Sequence, residues 1–537
     1  MTTDRPLRIV VVGGGPVAAR LVQELRPALE SGAARVTVLG EEPLPAYQRI
    51  RLGEVASGRL DGSELALAQS ADEERDGVEI RCGAAVVSLD RDRKTVTLAG
   101  GAEVGYDRLV LATGASALIP DFPVSGTRGR GISVAPAAGA RPEGVIGLRQ
   151  MQEACRLREA VRSGESVAVL GGGVLGVEAA LALAEVGAEV SLLHRGQTPL
   201  GRTLDVDAGR LLHRQLVDAG VQVRPDCGIQ ELVVAARAQD RATDRDGIPY
   251  LTALRTTQGR RIPATLLVAC TGIRPRDELA AAAGLDTLPR GGIVVDRTGR
   301  CPEDAAVFAV GDCAAPLGAR PSGLIGPGWE QARSAALALR GEAGHPEDTD
   351  LDAAGRPVPV PSPVPPGHRL DPIIVKSHSL SVACAGSPSV DPALDPWDPR
   401  GPHVSTWADP AAGQYLRIVS EGDRLLGFVA IGLPRTAAEL SRHAGTGTLP
   451  AADRSALLAL EHAAGDRELG PEDVLCRCSG ATFGQVEEAA AAADTDSTTV
   501  DEVGRRCGAG TGCGTCRERI GALLAAGAVR QRAGSPA

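Results

Sequence analysis

The stretch Val167–Arg195, VAVLGGGVLGVEAALALAEVGAEVSLLHR, constrains what this chain can fold into more than any other. An apolar run ends in Gly171-Gly172-Gly173-Val174-Leu175-Gly176, an Ala/Leu/Val-rich helical segment follows at once, and a second apolar run, Glu189–Leu193, comes after a glycine turn. Strand, glycine turn, helix and strand in that order make a βαβ unit carrying GxGxxG. Gly171 makes the tight turn, Gly173 lets backbone approach a pyrophosphate, and Gly176 lets the helix pack on the strand. The helix N-terminus offers free N–H groups and a partial positive charge to that phosphate. One GxGxxG alone is a weak signal, equally readable as a glycine-rich turn. Here a second copy stands near the N-terminus: Ile9–Leu25 reads IVVVGGGPVAARLVQEL, with Gly13, Gly15 and Ala18 forming the GxGxxA variant.

Each copy has a matching strand further along. Tyr106–Ala115 is apolar and ends in Thr113-Gly114, and Ala264–Pro275 ends the same way in Thr271-Gly272. The strand Ala305–Ala314 delivers Gly311 and Asp312 to its C-terminal end, where ligands of open α/β sheets sit. After the first copy, the strand ARVTVLG leads to Glu41, about 28 residues beyond Gly13 and somewhat past the spacing of about 20 expected of a ribose-binding acid. Glu41 is the preferred ribose partner, Glu42 competes with it, and a solvated turn residue is the plain alternative. Arg49 is well placed to meet a phosphate. At the end of the second strand of the central unit, NAD binders carry an acid and NADP binders favour an arginine. His194-Arg195 stands there, which leans toward NADPH through pairing of Arg195 with a 2′-phosphate, against the alternative of an ordinary exposed arginine.

A chain of 537 residues has room for two to four domains. The net charge of −10 argues against a nucleic-acid surface, and no apolar run is long enough to span a bilayer. The N-terminus runs almost directly into a strand, which leaves no room for a signal peptide and points to the cytoplasm, where structural disulfides are unusual. The pattern predicts an α/β chain: two Rossmann-like dinucleotide-binding domains, a small α/β domain and a small helical cysteine-rich domain. Its expected divisions are a discontinuous first domain over 1–124 and 264–342, a second over 146–263, a Pro/Asp/Gly-rich linker over 343–368, the small α/β domain over 369–445 and the cysteine-rich domain over 471–530. Val78–Leu98 reads as a small antiparallel insert, and 125–145, without periodicity, as a surface loop.

Seven of the twelve cysteines are scattered singly (Cys82, Cys155, Cys227, Cys270, Cys301, Cys313, Cys384) and read as small apolar packing residues. The other five crowd into the tail. Cys476 and Cys478 have CxC spacing, Cys513 and Cys516 have CxxC spacing, and Cys507 lies outside both pairs as a bystander. Four thiolates in two close pairs suit a zinc site or an iron–sulfur cluster, and spacing does not separate the two.

GGGPVA, LATG, GGGVLGVE, TGIRPRDELAAAAGLD and VFAVGDCA, in this order over residues 8–340, closely resemble the pyridine-nucleotide-dependent FAD oxidoreductases. Within them the chain is similar to the flavin half of assimilatory nitrite reductase large subunits and to the electron-transfer subunits of assimilatory nitrate reductases, with Gly272–Val295 as the most specific stretch. The resemblance implies FAD on Gly13, Gly15, Glu41, Arg49, the backbone near Val86, Thr113-Gly114 and Asp312, and a nicotinamide dinucleotide on Gly171, Gly173, Gly176 and Glu178. GAGTGCGTC resembles the bacterioferritin-associated-ferredoxin-like [2Fe-2S] domains, which implies a cluster on Cys476, Cys478, Cys513 and Cys516 rather than zinc. Residues 370–445 more loosely resemble the C-terminal interface domain of these flavoproteins, where strands cover the flavin and often build a dimer contact; a domain packed only within its own chain is the alternative.

Many relatives place a redox cysteine after the first β-unit or a CxxxxC pair beside the flavin, and AYQRIRLGEVAS has neither. Disulfide reduction is therefore not expected, and electrons must leave the flavin another way. NAD(P)H, FAD, [2Fe-2S] and then a separate acceptor is the expected order, since a flavin takes two electrons as hydride and releases them singly. The chain ends about 20 residues after Cys516 with no sirohaem or molybdenum domain, so the expected role is that of a subunit feeding a separate molybdopterin nitrate reductase. A reductase for a ferredoxin, rubredoxin or oxygenase is the second reading, and a zinc-stabilised or iron-sensing binding module is the third.

Overall fold

A computed structural model describes residues 5–67, 77–128, 132–133, 141–235, 249–344, 350–351, 357–358, 370–375, 377, 379–386, 401–449, 457–458, 470–476, 479–492, 499–511, 516–517 and 519–524. Two parallel sheets repeat one design. In the first, Arg108–Leu111, β1 (Leu7–Val12), β2 (Ala34–Leu39) and Val78–Arg81 lie side by side in that order. In the second, Leu266–Ala269, Val167–Leu170, Val190–Leu193 and Gln222–Arg224 do the same. Each glycine-motif strand thus runs between the strand that ends in Thr-Gly and the strand that follows its own helix.

Strands buried on both faces read as continuous apolar runs, and β1 and Val167–Leu170 do so because helices or a second sheet cover them on each side. On one face of the first sheet, α1 (Pro16–Glu30) and the helix Ile325–Glu342 pack with Leu21, Leu25, Ala332, Ala335 and Leu339 inward. On its other face, Val10, Val12, Leu109 and Leu111 meet Val96, Leu285 and Ile293. Asp304–Ala309 extends this sheet in parallel beside Arg108–Leu111, so the first unit is completed by chain that returns after the second.

Two expectations need correction. Val78–Arg81 is not part of the antiparallel insert but the edge of the first parallel sheet; the insert consists of Val86–Asp90, Thr95–Leu98 and Glu103–Gly105. The stretch 125–145 is not all loop: Val124–Arg128 pairs in parallel with Ile229–Ala235, and Val145–Ile146 edges the second sheet. These strands carry no apolar alternation because close approach governs them; a Cβ on Gly126 would lie 2.3 Å from the Val234 carbonyl oxygen. Most of the expected linker, like residues 134–140, lies outside the described residues, and Asp350–Leu351 pairs with Pro357–Val358 within it.

The small domain is a five-stranded antiparallel sheet, Ile373–Val375, Val382–Gly386, Arg424–Ile431, Gln414–Glu421 and His403–Asp409 in spatial order, with the helix Pro434–Thr446. Side chains alternate between its faces. Val375, Val382, Cys384, Tyr415, Val429 and Ile431 join the core of the second dinucleotide unit, while Ala383, Leu416, Ile418, Phe428 and Ala430 pack under Leu440 and Ala444 of the helix. Both faces thus contribute residues to cores within the chain. The tail forms its own small core of Leu475, Cys476, Val486, Val503, Cys516 and Ile520 around the helices Phe483–Ala491 and Val500–Cys507.

Asp205 joins two of these bodies. One of its oxygens caps the helix Val206–Asp218, accepting from the Asp207 and Ala208 amides at 3.1 and 3.2 Å, and also accepts the Tyr415 hydroxyl at 2.9 Å. Asp205→Ala removes cap and tether together and is expected to cost about 2 kcal/mol, seen as a lower urea midpoint than the wild type. Tyr415→Phe, which loses only the tether, should fall between them.

Candidate redox-cofactor cavity

Gly13 and Gly171 hold their loops in the same way. Each has a left-handed φ, 120° and 122°, which favours glycine. A Cβ on Gly13 would lie 2.1 Å from the Ala112 carbonyl oxygen, and one on Gly171 would lie 2.3 Å from that of Cys270. Ala112 and Cys270 precede Thr113-Gly114 and Thr271-Gly272, so each motif loop rests directly on the end of its Thr-Gly strand. Gly176 closes the second copy, since a Cβ there would meet the Gly171 carbonyl oxygen at 1.9 Å, whereas Ala18 sits buried at the same point of the first. Gly173 faces open space, and the nearest atom to a Cβ on Gly15 is an Arg49 guanidinium nitrogen at 3.9 Å. These are the openings a pyrophosphate needs.

The tips of the two halves are tied together. Ala115–Ala117 pairs antiparallel with Ile273–Pro275, the Leu118 amide donates to the Gly272 carbonyl oxygen at 3.0 Å, the Thr271 hydroxyl donates to the Leu118 carbonyl, and the Thr113 hydroxyl donates to the Arg276 carbonyl oxygen. Between the halves opens a cavity of about 1910 Å³. Gly13, Gly15, Ala18, Glu41, Arg49, Thr113, Gly114, Glu178, Gly311 and Asp312 all line it.

Its charged walls are paired. Glu41 forms an ion pair with Arg276 at 2.5 Å. Glu42 accepts from Tyr47 Oη and from the Arg49 guanidinium, each at 2.7 Å, and Tyr47 Oη accepts the Met151 amide at 3.1 Å. Burial and the adjacent Glu42 push the Tyr47 hydroxyl well above its ordinary pKa, so it remains a donor. Asp312 pairs with Arg149 at 2.5 Å, and the Arg149 carbonyl accepts from Arg49. Glu41, half exposed, thus presents the freer carboxylate to the cavity, while Glu42 is bound into the wall.

Sequence reasoning missed Arg149, Arg276 and Tyr47. The signal for Arg149 was present in LRQMQE: the Glu153 carboxylate accepts from the Gly147, Arg149 and Gln150 amides at 3.0, 2.7 and 2.9 Å and so fixes the turn that aims Arg149. Other expected contacts lie elsewhere. Val86 does not line the cavity; its strand packs against the first sheet, and Ala84 and Gly83 donate to the Gly40 and Glu42 carbonyl oxygens instead. His194 is buried beneath Gly172, where a Cβ would stand 2.9 Å from it, so it is a packing residue; burial lowers its pKa. Arg195, the next residue, is exposed. Among the scattered cysteines, Cys227, Cys270, Cys301, Cys313 and Cys384 are buried, but Cys82 is exposed. No described cysteine lines the cavity.

The cavity reaches beyond the two dinucleotide units. Arg435, Glu439 and Arg442 of the helix Pro434–Thr446 line it, as do Val474, Leu475, Gly480, Arg519 and Leu523 of the cysteine-rich tail. Leu475 adjoins Cys476, and Arg519 lies three residues after Cys516, so both described cysteines of the two pairs stand one step behind the cavity wall, buried in one small core. Cys478 and Cys513 lie outside the described residues. Cys507 is half-buried, with its thiol donating to the Val503 carbonyl oxygen at 3.2 Å.

Fold and cavity together define an NAD(P)H-dependent oxidoreductase built on two dinucleotide-binding units. More particularly, residues 7–338 match the pyridine nucleotide-disulphide oxidoreductase family, to which the chain belongs. Residues 474–526 match the BFD-like [2Fe-2S] binding domain. FAD, a pyridine nucleotide and a [2Fe-2S] cluster are accordingly its cofactors. The chain is 27% identical over 537 residues to the NADH nitrite reductase large subunit of Escherichia coli (strain K12), covering 98% of this chain and 56% of that protein. It is 26% identical over 526 residues to the assimilatory nitrate reductase electron transfer subunit of Bacillus subtilis (strain 168), covering 96% and 59%. The chain therefore spans little more than half the length of these curated relatives. Its fold is that of putidaredoxin reductase in the covalent complex with putidaredoxin, with a TM-score of 0.65 at 22% identity over 86% of this chain and 100% of that one. Among the described residues, no helix is long and apolar enough to cross a membrane.

Glu439 at the cavity rim carries a pH prediction. Hydrogen bonds from His443 and Arg442, at 3.2 and 2.6 Å, hold its pKa down at about 2 against an ordinary 4.5. A depressed carboxylate contributes stability above its unfolded pKa and loses it as pH falls through its folded one. The stability gap between wild type and Glu439→Gln should therefore be full at neutral pH and shrink as pH drops from 4.5 to about 2, as read by urea unfolding at each pH.

Proposed function

We propose that this chain takes hydride from NADPH onto FAD and passes the electrons singly through its [2Fe-2S] cluster to a separate protein, the molybdopterin catalytic subunit of an assimilatory nitrate reductase. The observation that carries the reading is the continuity of the cavity: the first glycine motif, Val174, Leu175 and Glu178 of the helix that follows the second motif's turn, and the cysteine-rich tail all wall one space. The flavin supplies the exchange between two-electron and one-electron chemistry. The similarity to an assimilatory nitrate reductase electron transfer subunit of Bacillus subtilis supports that acceptor.

In this reading Gly13 and Gly15 admit the FAD pyrophosphate, Glu41 accepts from its ribose, Arg49 pairs with its phosphate, and Asp312 accepts from the ribityl chain. Thr113-Gly114, which lines the same cavity, would also hold the FAD. Gly171, Gly173 and Gly176 admit the nicotinamide dinucleotide at the N-terminus of the helix Val174–Ala184, with Glu178 on the cavity side. Arg149 and Arg276 position Asp312 and Glu41 until ligand hydroxyls compete for them. Cys476, Cys478, Cys513 and Cys516 hold the cluster. No cysteine is among the described lining residues, and in this reading electrons leave by the tail.

The preference for NADPH rests on Arg195, which is exposed and forms no ion pair with any described residue, and on the lack of a carboxylate from 194 to 197. NADH is the second reading, favoured by Asp226, whose amide donates to the Gly196 carbonyl oxygen at 3.1 Å. Arg195→Ala should raise KM for NADPH about tenfold, ~1.4 kcal/mol, with kcat and the NADH constants unchanged; equal changes for both nucleotides would remove the 2′-phosphate role. The whole reading is tested by anaerobic titration with NADPH. Flavin bleaching with parallel loss of cluster absorbance, followed by reoxidation on adding the nitrate reductase catalytic subunit, is expected. Flavin bleaching over a tail that contains zinc would refute the relay and favour a simple reductase.

A further inference from the structure

Helix α1 touches both ends of the proposed route. Its N-terminus carries the Gly13–Gly15 loop, and five residues on, about 7.5 Å along the axis, Arg20 reaches the cysteine-rich tail. A Cβ built on Gly508 would lie 3.2 Å from an Arg20 guanidinium nitrogen and 3.4 Å from Ser479 Cβ. Ser479 follows Cys478, and Gly508 opens the glycine loop that leads to Cys513. Arg20 therefore stands at Gly508, where that residue approaches Ser479. The contact is supported on either side: Gln23 donates to the Arg505 carbonyl oxygen at 3.3 Å, and Thr511 bonds the Gly508 carbonyl oxygen at 2.8 Å. The Arg20 side chain is only 13% exposed, and its Nε is buried with no hydrogen-bond partner among the described residues.

We infer that Arg20, a residue of the flavin-binding unit, raises the reduction potential of the [2Fe-2S] cluster and so favours electron transfer to it from the flavin. The inference rests on the cluster reading above. Adding one electron to a centre of two irons and four thiolates makes it more negative by one charge, and a cation fixed beside it stabilises that reduced form over the oxidised one. The electron comes from the reduced flavin, whose second electron follows once the acceptor has taken the first. Glu24 opposes the effect, pairing with Arg20 at 2.5 Å, and is itself drawn toward Arg333 at 3.5 Å. On the tail side, Arg506 is paired with Glu502 at 3.7 Å, and Arg517, which donates to the Gly510 carbonyl oxygen at 3.3 Å, is paired with Asp501 at 2.7 Å.

The test is an EPR-monitored redox titration of the full-length protein with both cofactors in place. Arg20→Gln should lower the cluster midpoint potential by a factor of about ten in the one-electron equilibrium constant, roughly 59 mV, and Arg20→Lys should restore most of it. Glu24→Gln, which removes the opposing charge, should raise the midpoint and keeps the inference open to refutation if Arg20→Gln fails to fold. Gln23→Ala loosens the same contact without changing charge and should leave the midpoint where it is. An unchanged midpoint in Arg20→Gln or Glu24→Gln, or a shift in Gln23→Ala as large as that in Arg20→Gln, would overturn the role. A wild-type protein with no cluster signal and stoichiometric zinc would overturn the cluster reading itself, a distinct result.

Discussion

Two close approaches organise this molecule: Gly13 against the carbonyl of Ala112, and Gly171 against that of Cys270. Each brings a phosphate-binding turn onto the C-terminal end of a neighbouring parallel strand, where the backbone must change direction at Thr-Gly. A side chain at either glycine would displace the loop by more than the surrounding core tolerates, because β1 and Val167–Leu170 are buried on both faces. The segments after the two Thr-Gly tips pair with each other, and the first turn shares one cavity with Val174, Leu175 and Glu178 of the second unit.

The walls of that space are built from paired charges, not from free ones. Glu42 with Tyr47 and Arg49, Glu41 with Arg276, and Asp312 with Arg149 each join residues far apart in sequence. Such pairs fix side-chain directions before a ligand arrives, which lowers the ordering cost of binding. The same logic holds the antiparallel domain in place through Asp205 and Tyr415, and through Glu185, which accepts from Arg59 and from Ser377. The tail is fastened differently, through Arg20 and Gln23 of α1, so the first dinucleotide unit also carries the cysteine-rich tail.

Elements governed by backbone geometry were readable in the amino-acid sequence. Glycine spacing at 13–18 and 171–176, the Thr-Gly ends and the Gly311-Asp312 strand end each reflect a local steric demand, and Gly13, Gly15, Ala18, Thr113, Gly114, Gly311 and Asp312 line one cavity. What escaped was set by contacts between distant segments. Val124–Arg128 is a strand because Gly126 lets Val234 approach, and nothing in VSGTR announces that partner. Arg149 lines the cavity because Glu153 caps the turn before it. His194 looked like a ligand residue from its place at a strand end, yet it points inward over Gly172, leaving Arg195 outside. The tail's chemistry was legible from cysteine spacing only as a choice between metals, and its position beside α1 was not legible at all.

The central claim is that flavin and cluster exchange electrons within one chain. Anaerobic stopped-flow mixing with NADPH, followed at flavin and cluster wavelengths over a range of protein concentrations, tests it most directly. The account predicts flavin reduction first, then cluster reduction at a rate independent of protein concentration. Cluster reduction that speeds up in proportion to protein concentration, or that occurs without prior flavin reduction, would contradict it.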